Sequence, residues 1–169
     1  MMPTYRTESC EVDVRRDLLL LDTGLLVAKF LPEDRKHDDA ETFLELYGEE
    51  RQLAVPIPVV IEAWGFLVGS RKRWDCGMEL LSWVSNPGNA IVLLSQNIDD
   101  FDDVRCLSRL IHVDYIDASL SCLANDVTMQ CGMSPHASVA TFDTGDFMRC
   151  RAKWGLRFRI FDLNSLHED

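Results

Sequence analysis

Four consecutive leucines, Leu18 to Leu21, run directly into Asp22-Thr23-Gly24. No other stretch constrains the fold as strongly. A short apolar run without alternation, closed by a turn signal, reads as a strand buried on both faces. Parallel sheets covered by helices make strands of that kind. Asp22 ends the run, so its carboxylate is expected at the strand's C-terminal tip. Leu25, Leu26, Ala28 and Phe30 then open a helix that reaches about Leu31, and Pro32 stops it. Ligands of open α/β sheets bind outside the carboxyl ends of the strands, so an acid there is a site candidate. Aspartate is also a good helix cap, and for Asp22 alone both readings stand.

The remaining chain alternates in the same way. Ala40, Phe43, Leu44 and Tyr47 fall at helical spacing behind Asp38 or Asp39 as a cap, with Gly48 near the end. Leu53 to Ile57 reads as a second strand whose pairing Pro56 and Pro58 should limit. A third helix from about Val59 has Val59, Ala63, Phe66 and Leu67 as its stripe and Glu62 at the border, half turned toward the core. Trp74 to Val84 reads as a helix closed by Asn86-Pro87-Gly88, and Ile91 to Leu94 as a strand. A helix from Asp99 to Ile111 should point Phe101, Val104, Leu107 and Ile111 inward. Asp114 can cap the next helix, which runs to about Thr128 with Ile116, Leu120, Leu123 and Val127 as its stripe. Asp117 flanks that stripe, and Asp114 is expected near the opposite face. Ser138 to Phe142 reads as a fourth buried strand ending at Asp143, and a short turn or helix carries Asp146, Phe147 and Met148. Leu156 to Phe161 alternates like an exposed edge strand.

At 169 residues the chain has room for one domain with a sizeable core. Residues 1–17 read as a polar arm and residues 18–169 as the domain. No apolar run approaches a membrane span, and the arm lacks the apolar centre of a signal peptide. Six scattered cysteines without a C-x-x-C pair fit neither a zinc site nor a disulfide scaffold. A cytoplasmic protein with reduced thiols is the expectation. The net charge of −11 argues against broad attraction to nucleic acid, though not against an enzyme that holds it through cations. A basic partner chain would also suit that charge.

Strands separated by helices imply parallel order and right-handed crossovers. Asp22 and Asp143 then leave the same sheet edge, and Glu62 and Asp117 sit in early helical turns on the same rim. Each has a structural explanation of its own, as a cap, a capping-box member or a dipole partner. Four caps need not share one rim, however. Crowded carboxylates raise one another's pKa, and a divalent ion removes that cost. Hard oxygen ligands select Mg²⁺ or Mn²⁺, which can activate water and neutralise a phosphodiester.

Leu-Leu-Asp-Thr-Gly-Leu-Leu-Val-Ala, Val-Val-Ile-Glu-Ala-Trp, Tyr-Ile-Asp-Ala-Ser-Leu and Ala-Thr-Phe-Asp-Thr-Gly-Asp-Phe occur in that order. Together they resemble a PIN domain, and more narrowly the VapC-type toxins of toxin–antitoxin systems, over nearly the whole chain from Leu18. The resemblance implies an α/β fold, a three-layer α/β/α sandwich with a central, mostly parallel sheet. It also implies an Mg²⁺- or Mn²⁺-dependent endoribonuclease that cleaves single-stranded RNA. It assigns the acids to Asp22, Glu62, Asp117 and Asp143, with Asp146 as a second candidate near the fourth place. Thr23 matches the hydroxyl residue that follows the first acid. In this reading Asp22, Asp117 and Asp143 hold the metal, and Glu62 orients or deprotonates the attacking water or joins a second metal. Arg71, Lys72, Arg73, Arg149, Arg151 and Lys153 are the candidates for RNA contact. A small basic antitoxin is the expected partner, and a homodimer is a further option. Two features depart from the family pattern, the polar arm and an insert at Val127 to His136. The competing reading is a PIN-like module that binds RNA or protein and cuts nothing. A haloacid-dehalogenase-like phosphotransferase would need a second aspartate two residues after Asp22, where the chain has Gly24.

Overall fold

A computed structural model of the chain describes residues 6–7, 10–11, 17–93, 98–130 and 137–166. In chain order, Arg6–Thr7 (β1) pairs antiparallel with Cys10–Glu11 (β2). Strand β3 is Leu18–Leu21, helix α1 Thr23–Phe30, helix α2 His37–Tyr47 and strand β4 Gln52–Pro56. Helix α3, Ile57–Trp64, continues as a π-helical stretch over Gly65–Ser70. Then come α4 (Trp74–Val84), β5 (Ile91–Leu93), α5 (Ile98–Ile111) and α6 (Tyr115–Gln130). Strand β6 (Ala137–Thr141), helix α7 (Thr144–Trp154), strand β7 (Arg159–Asp162) and a 3₁₀ turn (Leu163–Ser165) complete the described chain.

The main sheet has five strands in the order β5-β4-β3-β6-β7, and every neighbouring pair is parallel. The leucine run is its centre. Leu18 is 1% exposed and Leu19, Leu20 and Leu21 are fully buried, each side chain stabilising the fold by about 1.5–3 kcal/mol. Helices α1 to α4 pack against one another, as do α5 to α7. The chain leaves β3 first toward β4 and β5, then returns to build β6 and β7 on the other side. Right-handed crossovers on either side of that reversal put the two helical groups on opposite faces, giving the α/β/α sandwich. The reversal also opens a crevice at the carboxyl ends of β3 and β6.

Several local expectations change. Pro56 does not restrict β4, because it closes the strand while the preceding residues pair on both sides. Helix α3 starts at Ile57, with Pro58 in its first turn, where a missing N–H costs nothing. Asp38 and Asp39 lie inside the first turn of α2 behind Lys36, which makes no side-chain cap. The stretch with Asp146 is an eleven-residue helix, ended by Gly155 at φ 65°. Strand β7 begins only at Arg159, and it is an edge strand as expected. Phe101 is exposed. The expected insert is partly helix, since α6 runs on to Gln130, and its residues 131–136 lie outside the described residues, as does most of the arm. Among the described residues no helix is long and apolar enough to cross a membrane, and Cys76, Cys106, Cys122 and Cys150 are not in disulfides.

Candidate active site

Asp22 leaves the buried centre of the sheet and enters α1. Its N–H donates to the Ala140 carbonyl of β6 at 3.2 Å, extending the β3–β6 ladder by one residue. Its carboxylate accepts from the Thr23 N–H at 2.7 Å, so it does cap α1. The other carboxylate oxygen accepts from the Thr141 hydroxyl at 2.8 Å. That hydroxyl in turn accepts the Asp143 N–H at 2.9 Å. Thr141 therefore ties the ends of β3 and β6 together, and capping and site geometry coexist in one side chain. Burial pushes the Asp22 carboxyl up to about 6. The two hydrogen bonds oppose that rise, while the charges of Glu62 and Asp114 add to it.

Glu62 is exposed rather than half turned inward. The hydroxyl of Thr23 donates to its carboxylate at 2.5 Å, so Thr23 bridges the first two acids of the expected set. Asp117 is the third residue of α6, and its N–H donates to the Asp114 carboxylate at 2.9 Å. Burial first, and then the charges of Asp114, Asp22, Asp146 and Asp143, raise the Asp117 carboxyl to about 8. With Glu62, six carboxylates from four segments thus act on one another across the crevice. Asp143 is exposed and caps α7 by accepting from the Gly145 N–H at 3.2 Å. Asp146, one turn on, forms an ion pair with Arg149.

Asp114 was expected on the far face, and the structure corrects this. A cap residue folds back over the first turn, and the bond to the Asp117 N–H brings the two carboxylates to the same rim. The three-residue spacing was the available signal. Thr141 was missed as well; its sign was a hydroxyl two residues before an acid at a strand end. Among the described residues no three acids, histidines or cysteines are grouped tightly enough, as they stand, to grip a metal ion.

Of the basic candidates, Arg149 lies at this rim, bonded to Asp146 and donating to the Ile111 carbonyl at 3.3 Å. Arg73 is held by Glu33 and Asp75 instead. Arg71 lies over the Phe66 ring, 5.0 Å from its centroid, and Lys72 beside it has φ 59°. Arg151 donates to the Phe158 carbonyl at 3.4 Å, and Lys153 is exposed on the last turn of α7. The structure does not gather these six into one basic face.

Neither a protein-family profile nor a curated protein matches the chain in sequence. Solved structures do match it in shape. One is VapC20 of Mycobacterium tuberculosis, described as a sarcin-ricin loop cleaving toxin. It superposes with a TM-score of 0.59 at 18% identity, over 82% of this chain and 96% of that one. Another is VapBC2 of Rickettsia felis, bound to a DNA fragment from its promoter, with a TM-score of 0.61 at 15% identity, over 86% and 99% of the two chains. The parallel sheet, its helical layers and these two superpositions agree: the chain has the PIN-domain fold of the VapC-type toxins.

Proposed function

We propose that the chain is a metal-dependent endoribonuclease that cleaves single-stranded RNA, acting as the toxin of a toxin–antitoxin pair. One observation carries this reading. Asp22 and Asp117 face other carboxylates across the crevice at the strand-order reversal, and the largest charges acting on both are those of neighbouring acids. Such a rim is suited to a cation supplied from outside. The likeness to a toxin that cleaves the sarcin-ricin loop, and to a toxin complex on its promoter DNA, supports the nuclease and partner parts.

An Mg²⁺ or Mn²⁺ ion fits the donor set, which is all hard oxygen. Asp22, Asp117 and Asp143 would hold it, with Asp114 and Asp146 beside them. When bound, such an ion neutralises charge on the phosphodiester and makes a nearby water more acidic. The chain does the rest. Thr141 fixes the Asp22 carboxylate at the end of β3. Thr23 orients Glu62, whose exposed carboxylate accepts the proton of the attacking water. Burial of Asp22 strengthens every electrostatic interaction it makes. Arg149 is the basic residue at hand for the phosphate.

The looseness of the acid group as it stands favours the rival reading, a module that binds without cutting. Incubation with RNA in Mn²⁺ separates them. The nuclease reading requires cutting that stops with EDTA and with Asp22→Asn. Cutting that persists in either case overturns it.

A further inference from the structure

The guanidinium of Arg149 is held from two sides at the rim of the crevice. One side pairs with Asp146, the third residue of α7 and one turn earlier on the same helix. The other donates to the carbonyl of Ile111 at 3.3 Å. Ile111 is buried and ends α5. A carbonyl in that place has no partner in its own helix, so it needs one from elsewhere. A cation there also suits the dipole of α5. Arg149 thus spans the end of α5 and the start of α7, and three residues after Ile111 comes Asp114 of the acidic rim.

Neither bond fixes the guanidinium firmly. The Arg149 side chain is 52% exposed and that of Asp146 30%, and an ion pair so open to water contributes little. Asp146 also belongs to the crevice, since its charge is among those that act on Asp117. Its carboxylate therefore has two possible counter-charges, the guanidinium and a cation among the acids. A divalent ion is the stronger of the two, because it carries twice the charge and meets several carboxylates at once. It also repels the guanidinium. The planar fork of arginine matches a phosphate, to which it can give two parallel N–H bonds.

We propose that Arg149 is a phosphate-contacting residue held in reserve: Asp146 exchanges the guanidinium for a divalent cation in the crevice, and Arg149 then turns from Asp146 and the Ile111 carbonyl to an RNA phosphate. The proposal rests on the metal-dependent reading above and adds an order of events to it, cation before phosphate. A merely structural tie between α5 and α7 would keep both bonds whatever ion is present.

The guanidinium N–H signals of Arg149 in the ¹⁵N-labelled full chain, assigned with Arg149→Lys, report the exchange directly. In EDTA they should be resolved and slow to exchange with water, and saturating Mg²⁺ should merge them with those of free arginines. Arg73, bonded to Glu33 and Asp75 away from the crevice, should keep its signals. Arg149→Gln should bind Mg²⁺ about two- to fivefold more tightly by calorimetry, since it removes the competitor. The same variant should raise KM for RNA about tenfold, with kcat within about threefold of wild type. Opposite changes in ion and RNA affinity are not what loosened packing produces. Arg149 signals that stay fixed while Mg²⁺ saturates the chain overturn the proposal, as does an equal change at Arg73, which is screening alone. An unchanged KM in Arg149→Gln overturns the phosphate contact. Absence of Mg²⁺ binding removes this proposal and the metal-dependent reading together. If Arg149 is released but wild type cuts no RNA, oligouridine anisotropy takes the place of KM. A tenfold weaker Arg149→Gln then upholds the proposal, and the nuclease reading alone falls.

Discussion

Two groups of acids in this molecule behave in opposite ways. Glu33 and Asp75 meet across the guanidinium of Arg73, whose Nη2 lies 2.9 Å from Asp75. The hydrogen bonds from Arg73 hold the Glu33 carboxyl below its ordinary value and Asp75 down at about 2. Asp22 and Asp117 have burial and the charges of neighbouring acids instead, and stand at about 6 and about 8. The residue type is the same in both places. What differs is whether the fold supplies the counter-charge itself. The Arg73 cluster is complete and can only hold two loops together. The crevice is incomplete, and an incomplete charge set at a sheet's carboxyl edge is what a cation-using site requires.

The comparison breaks first on activity. Asp22→Asn should lose about 100-fold or more in RNA cleavage, because the phosphate's developing charge loses its support. Asp75→Asn should stay within about twofold of wild type. Comparable losses in the two variants would mean that the groups do not differ in function. Asp114→Asn is no neutral control, since Asp114 bears directly on Asp22 and Asp117, and it should fall between these extremes.

Metal titration sharpens the contrast. At about a hundredfold excess over its dissociation constant, Mn²⁺ should raise the melting temperature by roughly 5–10 °C. Asp117→Asn should shrink that shift and Arg73→Ala should leave it intact. A flat response in wild type would remove the cation from the account.

The third expectation concerns pH in EDTA. Unfolded aspartates titrate near 3.9, so above about pH 4 the folded chain holds protons that the unfolded chain has lost, on Asp22 up to about pH 6 and on Asp117 up to about pH 8. Stability from these groups is therefore fully present below about pH 4 and is lost as pH rises through about 6 and about 8. Asp117→Asn should gain on wild type by several degrees of melting temperature across that window. Asp75 has the opposite sign. Its contribution is present above about pH 4 and disappears only as pH falls toward 2. Parallel melting curves for wild type and Asp117→Asn from pH 4 to pH 8 would refute the raised value at Asp117.

The smallest effect belongs to the paired group. Arg73→Ala should move the melting temperature by about two degrees or less, because an exposed ion pair is screened by water and salt. A larger drop would show that the cluster fastens the chain more firmly than its exposure suggests.

The leucine run, the Trp74–Val84 helix and the order of strands and helices could be read from the amino-acid sequence, because apolar spacing and turn residues act locally. Leucine favours helices, but four residues closed by Asp-Thr-Gly are too short for one, and the run is a strand. The acids were legible as separate strand-end and early-helix positions for the same reason. Which of them meet, and through what, was decided only by tertiary structure. The pairing of Leu21 with Ala140 sets Thr141 beside Asp22, and that register is a property of two strands 119 residues apart in the chain. The turn of Asp114 back over Asp117 depends on cap geometry that helical periodicity does not describe. The exposure of Phe101 depends on where the packing of α5, α6 and α7 stops. Periodicity states which side of a helix is apolar, and only the neighbouring elements decide how much of that side is covered.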